Sequence, residues 1–322
     1  MSSLIEQAAQ RLEQLRRAGI DVPETGEQAV LADPTPAAPA PASKRAPAAS
    51  AAALSNPMSR RVELDLAALA AAGVLTPDAP RAALADQFRV IKRPLISNAV
   101  GKGAATLTHG NLIMVTSALA GEGKTFMSVN LAMSIAAELD HTVVLVDADV
   151  ARPSVLRMLG LPPGPGLLEM LEGKADMSSV LLKTNVDKLS ILPSGAPHAK
   201  ATELLASDAM SRLLEDMATR YADRIIIFDS PPLLLTTESR VLATHMGQIV
   251  MVVQAGRTQQ SEVRHALSTI EACPVRLMVL NKARTDGPGA YGYGYGYGAY
   301  GYGYGHGPEA DAAAQQAPAA SP

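Results

Sequence analysis

The stretch "LIMVTSALAGEGKTFMSVNLAMSIAAEL", residues 112–139, decides the fold. Its first six residues are an apolar, partly β-branched run closed by a glycine-bearing turn, which predicts a buried strand. Residues 124–139 have the length and composition of a helix. Between the two, Ala118 to Thr125 match the phosphate-loop spacing G-x-x-x-x-G-K-[ST], with alanine in place of the first glycine. Glycine is needed at 121 and 123 because backbone N–H groups must come close to phosphate oxygens, where a Cβ would intrude. Lys124 is then placed to reach the β- and γ-phosphates and Thr125 to offer its hydroxyl to Mg²⁺, at the positive end of the following helix. Ala120, Glu122 and Phe126 complete the expected nucleotide cradle. A plain glycine turn is the competing explanation. Two acidic strand ends downstream, which phosphate chemistry requires, weigh against it.

Those strand ends are "VVLVDADVARP" (143–153), with Asp147 and Asp149, and "RIIIFDSPP" (224–232), with Asp229. Ligands of open parallel sheets bind at the carboxyl ends of the strands. Carboxylates gathered there repel one another unless a cation intervenes. Mg²⁺, an oxygen-seeking octahedral ion that keeps several waters, suits this set. A lone aspartate at a strand end more often caps a helix; three beside a phosphate loop favour the metal.

Further outward, short apolar runs alternate with helical stretches: "TVVLVDAD", "KLSILPSG", 203–220, "RIIIFDS", "QIVMVVQAG", 259–271 and "VRLMVLNK". This predicts an α/β fold, a P-loop NTPase-type mostly parallel sheet with helices on both faces. In "LTPDAPRAALADQFRVIKRPL" (75–95) Thr76 reads as a helix cap, Pro77 as the first helical residue and Pro94 as lying beyond the end. Residues 1–20 form an amphipathic N-terminal helix through Leu4, Ala8, Leu12 and Leu15. Residues 21–60 are a linker rich in proline and alanine, 61–284 the catalytic domain, and 285–322 a flexible tail.

Composition narrows the partners. With 28 basic and 31 acidic side chains the formal charge is −3, so no global field draws the chain onto nucleic acid or an anionic membrane. The lone Cys273 excludes an intrachain disulfide and reads as core filler; His245 and Met251 show no ligand spacing. No signal peptide or run of about 20 apolar residues is present, so the expected location is cytoplasmic, with membrane contact only through a partner.

At these residues the chain resembles a known family, the bacterial tyrosine autokinases of polysaccharide export. "SALAGEGKT" looks like their first nucleotide motif, "VLVDADVARP" like their additional aspartate motif and "IIIFDSPP" like their second. "SLIEQAAQRLEQLRRAG" and "ADQFRVIKRPLISNA" further resemble the branch tied to exosortase-type exopolysaccharide loci. The resemblance implies ATP and Mg²⁺ as cofactors, with Lys124 and Thr125 on phosphates and metal, and Asp149 and Asp229 on Mg²⁺. Asp147 becomes the base for an incoming phenol, although the two roles of Asp147 and Asp149 could be exchanged. Asn281 would read the adenine edge or simply end a strand. Arg152 would steady a phosphate or a partner. Asp86, Arg89 and Lys92 resemble a ring-assembly motif, three residues within about a 120° arc of a helix; a solvated charged face is the alternative. Implied partners are further copies of this chain in a ring, the cytoplasmic part of a separate membrane co-polymerase, and a tyrosine phosphatase.

Seven of the eight tyrosines, Tyr291, Tyr293, Tyr295, Tyr297, Tyr300, Tyr302 and Tyr304, fall in "GAYGYGYGYGAYGYGYGHG". Glycine between them supplies freedom and no packing surface, which suits substrates held on a string. They begin 9 and end 22 residues beyond Lys282, a typical reach of about 15 to 30 Å, enough to meet a neighbouring subunit. Autophosphorylation in trans is the expectation. An adhesive low-complexity segment is the alternative for the tail, and a positioning ATPase or a nucleotide-gated scaffold the alternative for the whole.

Overall fold

The protein is described by a computed structural model over residues 60–77, 83–103 and 106–283. The predicted N-terminal helix, nearly all of the 21–60 linker and the tyrosine tail lie outside these residues. In chain order the elements are β1 (Arg61–Val62), α1 (Leu66–Ala71), α2 (Ala83–Ala99), β2 (Leu112–Ser117), α3 (Lys124–Ala136) and β3 (Thr142–Asp147). Then follow α4 (Val155–Met158), α5 (Leu167–Leu171), α6 (Met177–Val180), β4 (Leu182–Thr184), β5 (Leu189–Leu192), α7 (Ala201–Leu205) and α8 (Asp208–Arg220). The last are β6 (Arg224–Asp229), α9 (Glu238–Thr244), β7 (Gln248–Gln254), α10 (Gln260–Ser268) and β8 (Val275–Asn281).

The eight strands form one sheet in the order β1-β4-β5-β3-β6-β2-β7-β8. Every pairing is parallel except β4 with β5. The continuous apolar runs are explained by cover on both faces. Leu112, Met114, Val144 and Phe228 point into one core, which includes residues of α5 and α8. Their alternating neighbours Ile113, Val115, Val143 and Ile227 point into the other, with α2 and α3. Helix α3 is buried almost all round, which accounts for its lack of a polar face. Strand β8, at the sheet edge, departs from the pattern: Met278 and Leu280 are 60% and 57% exposed.

Three sequence expectations need correction. Pro94 does not lie beyond α2 but inside it, and Thr76 and Pro77 lie outside that helix. Proline removes the donor that would meet the Val90 carbonyl, yet Val90 is 70% exposed, so water can serve that oxygen. On the opposite face Phe88 and Leu95 are buried, and the Leu95 carbonyl accepts a hydrogen bond from Gln248 Nε2 at 3.0 Å, which carries the helix through. The helix expected over 203–220 is two, broken where Ser207 caps α8 by accepting from the Met210 N–H. The third correction concerns Lys92, expected on an exposed face with Asp86 and Arg89. Lys92 is 6% exposed and donates to the Ser134 carbonyl at 2.6 Å while pairing with Glu138, also at 2.6 Å. Asp86 and Arg89 remain outside, paired with each other.

Candidate functional site

The P-loop runs from the end of β2 to the start of α3, with Gly123 at φ 101° as N-cap. Gly121 also sits in the left-handed region, at φ 84°, with open space around it; there the backbone angle is what requires glycine. At Gly123 crowding adds to the angle, since a Cβ would stand 2.2 Å from Asn281 Nδ2. Ala118, replacing the motif's first glycine, is fully buried in the core, so its methyl group is accommodated away from the cradle.

Glu122 holds the loop in place by its side chain. Buried to 2% exposure, its carboxylate accepts from Leu119 N at 2.6 Å, from Gln254 N at 3.3 Å and from the Thr258 hydroxyl. Sequence reading counted Glu122 in the cradle without seeing that its carboxylate faces the β7–α10 turn.

The aspartates gather because β3 and β6 are neighbours in parallel register, with Asp147 directly opposite Asp229. Asp147 Oδ2 accepts from Ser154 N and Val155 N, both at 3.0 Å, and so caps α4. Its Oδ1 is buried without a partner. Burial, then the Asp229 charge, push its carboxyl up to about 7. Asp229 Oδ1 accepts from Ser128 Oγ at 3.0 Å, while Oδ2 is likewise unpartnered. Burial raises this group to about 6 against the opposing pull of Thr125, Lys124 and Ser128. Asp149 Oδ2 lies 3.8 Å from Lys124 Nζ, and its carboxyl is also raised, chiefly by burial.

Asp229, which keeps one unpartnered buried oxygen and whose upward shift is opposed by the Thr125 hydroxyl, supplies with that hydroxyl hard oxygen donors that fit Mg²⁺. Among the described residues no group of three or more His, Cys, Asp or Glu side chains could hold a metal unaided.

A cavity of about 700 Å³ opens over the loop, and Ala120, Gly121, Gly123, Lys124, Thr125 and Phe126 all line it. Of the three aspartates only Asp149 does. Arg152 and Arg157 line it too, giving three cations against one carboxylate at the wall, the character of an anion site. Arg157 lies outside the residues that the sequence motifs single out, although its place in the short helix α4 just after "DADVARP" is the available signal.

Asn281 is not in the cavity wall. Its Nδ2 donates to the Glu122 carbonyl at 2.8 Å and its Oδ1 accepts from Lys282 N at 2.9 Å, so both ends of the amide are engaged within the protein. Lys282, also missed, donates from Nζ to the Gly121 carbonyl at 2.7 Å. The eighth tyrosine, Tyr221, stacks under the Arg224 guanidinium at 4.8 Å, apart from the site. Cys273 is buried, with its thiol pushed up by burial, and Met251 is core. His245 Nε2 lies 3.3 Å from Ser211 Oγ.

Comparison with known proteins agrees with this geometry. The family described as "ParA: NUBPL iron-transfer P-loop NTPase" matches residues 108–280. The tyrosine-protein kinase CpsD of Streptococcus agalactiae is 32% identical over 188 residues, 57% of this chain and 80% of that one. The succinoglycan biosynthesis transport protein ExoP of Rhizobium meliloti is 32% identical over 219 residues, 66% of this chain. The chain spans only 27% of the Rhizobium protein's length. Among solved structures, the kinase domain of the Escherichia coli tyrosine kinase ETK superposes with a TM-score of 0.59 at 28% identity, covering 68% of this chain and 84% of that one. A sheet ordered around a P-loop strand, the cation-lined cavity and these likenesses place the chain among the ParA-type P-loop NTPases and, within them, in the family of bacterial tyrosine-protein kinases.

Proposed function

We propose that the protein is an ATP-dependent, non-specific protein-tyrosine kinase that phosphorylates the tyrosine tail of a neighbouring copy and thereby regulates exopolysaccharide polymerisation or export. The observation that carries this is the cavity lined by Gly121, Lys124, Thr125, Asp149 and Arg152, together with the paired Asp147 and Asp229, each of which keeps an unpartnered buried oxygen. When bound, MgATP supplies the transferable phosphoryl group and a cation that spreads the charge developing on the reacting oxygens. The loop N–H groups and Lys124 would hold the phosphates, and Thr125, Asp149 and Asp229 would hold the cation or its waters. Arg152 and Arg157 draw the anion into the cavity. Asp147 takes the phenolic proton as the phenol oxygen bonds to the γ-phosphorus and the bond from that phosphorus to the β–γ bridging oxygen breaks, releasing ADP; a carboxyl raised to about 7 suits that role at neutral pH.

One observation favours exchanging the two aspartates: Asp149, not Asp147, faces the cavity. The pH profiles of Asp147→Asn and Asp149→Asn separate the readings, because only loss of the base removes the acidic limb while sparing nucleotide affinity.

The kinase names of the relatives support tyrosine as acceptor, and the name of the Rhizobium relative supports the link to polysaccharide export. Among the described residues no helix is long and apolar enough to cross a membrane. A cytoplasmic chain recruited to the inner face by the cytoplasmic part of a co-polymerase, and reset by a tyrosine phosphatase, follows from the same reading. So does placement in the exosortase-associated branch, which rests on N-terminal sequence. Phosphotyrosine mapping after incubation with ATP, Mg²⁺ and the co-polymerase's cytoplasmic fragment, with Lys124→Ala as control, tests the proposal. Hydrolysis without tyrosine labelling would assign the chain to positioning ATPases; neither activity would leave a scaffold.

A further inference from the structure

The end of β8 grips the P-loop from behind. Lys282 Nζ donates to the Gly121 carbonyl at 2.7 Å and lies 3.4 Å from Gln254 Oε1, while Asn281 Nδ2 donates to the Glu122 carbonyl at 2.8 Å. The two acceptors are consecutive carbonyls of the loop. Lys282 holds this contact from a left-handed backbone, φ 57°, a conformation uncommon for a residue with a Cβ. The carbonyl of Asn281 in turn accepts from Ala255 N at 2.9 Å, which fixes the strand end to the turn that the Glu122 carboxylate also grips.

In a trans peptide the C=O of one residue and the N–H of the next point in opposite directions within one plane. Drawing the Gly121 carbonyl towards Lys282 therefore turns the Glu122 N–H away from β8. Drawing the Glu122 carbonyl towards Asn281 does the same for the Gly123 N–H. Gly121 and Gly123 line the cavity; Asn281 and Lys282 do not. We infer that Asn281 and Lys282 are positioning residues that set the peptide planes of the P-loop so that its N–H groups are presented to the phosphates. The absence of a Cβ at Gly123, which Asn281 Nδ2 would meet at 2.2 Å, is then a requirement of the clamp as well as of the backbone angle. The role differs from reading an adenine edge, for which the amide would have to leave both of its present partners.

This rests on the nucleotide-binding half of the proposal above and not on transfer to tyrosine, so a chain that binds nucleotide but labels nothing would leave it intact. The test uses the full chain with Asn281→Ala, Lys282→Met and Lys282→Arg, titrated separately with ADP and with inorganic pyrophosphate in the presence of Mg²⁺. Losing one such hydrogen bond should weaken both ligands by roughly 3- to 10-fold in the first two variants. Lys282→Arg, which still offers a donor, should recover most of that loss, and the ligand-free melting transition should stay cooperative in all three. Unchanged affinity for both ligands overturns the inference. Weakening of ADP alone also overturns it, in favour of an adenine contact at Asn281. Weakening accompanied by loss of cooperative melting overturns it too, by reducing the clamp to general fold maintenance.

Discussion

At the residue level the site is a set of charges held where they are unfavourable on their own. Asp147 and Asp229 are pushed up to about 7 and about 6, well above the ordinary 3.8, so the ligand-free protein binds protons there that the unfolded chain does not. By linkage, stability should fall as pH rises from about 4 to about 7 and level off above that. The melting temperature without nucleotide is accordingly expected to be higher at pH 5.5 than at pH 8. Replacing Asp147 by Asn removes one member of the repelling pair and should raise the melting temperature at pH 8 by about 3–6 °C, while abolishing tail labelling. A pH-independent melting curve, or destabilisation by Asp147→Asn, would show that these carboxylates are not strained. Lys124→Ala removes the cation nearest Asp149 and should weaken nucleotide by at least about tenfold in a fluorescence titration, the scale of one charge-assisted contact.

At the level of elements, helix α2 shows how packing redirects a motif. Its Asp86, Arg89 and Lys92 resemble an assembly signature, but Lys92 is turned inward to the end of α3. There it holds the Glu138 carboxyl below its usual range. Lys92→Ala should therefore destabilise the isolated subunit by about 1–3 kcal/mol in denaturant melts, through the unsatisfied Ser134 carbonyl. Arg89→Ala, which removes only an exposed pair, should stay within about 0.5 kcal/mol of the parent and act on assembly alone. Equal effects of the two on the melts would restore Lys92 to the exposed face.

For the whole molecule, the consequence of the proposed tail phosphorylation would be electrostatic. Seven phosphotyrosines would add about −10 to −14 to a chain whose formal charge is −3. Residues 285–322 contain no Lys or Arg, so this stretch cannot neutralise its own phosphates. Light scattering after treatment with ATP and Mg²⁺ should show smaller particles than before; larger ones would refute the repulsion argument. Transfer between copies is checked by mixing Lys124→Ala chains with tail-deleted chains. The intact tail of the Lys124→Ala chain should become labelled, and continued absence of label despite co-assembly would exclude transfer in trans.

Local rules sufficed for the parallel sheet, for the phosphate loop and for the strand-end position of each aspartate, because strand periodicity, glycine spacing and acidic strand ends are contiguous in sequence. Asp147 facing Asp229 could not be read that way: it follows from β3 lying beside β6, a pairing between segments about 80 residues apart. The clamp of Asn281 and Lys282 on Gly121 and Glu122 bridges about 160 residues, and no spacing rule announces it. Pro94 lies inside α2 for the same kind of reason, since burial of Phe88 and Leu95 outweighs a local breaking signal. Sequence alone determined which chemical groups the protein carries and the strand ends that bear them. Only the tertiary structure decided which of those groups face the cavity, which are held by neighbours and which buried oxygens are left without partners, because hydrogen bonding and burial depend on what the folded chain brings alongside each residue.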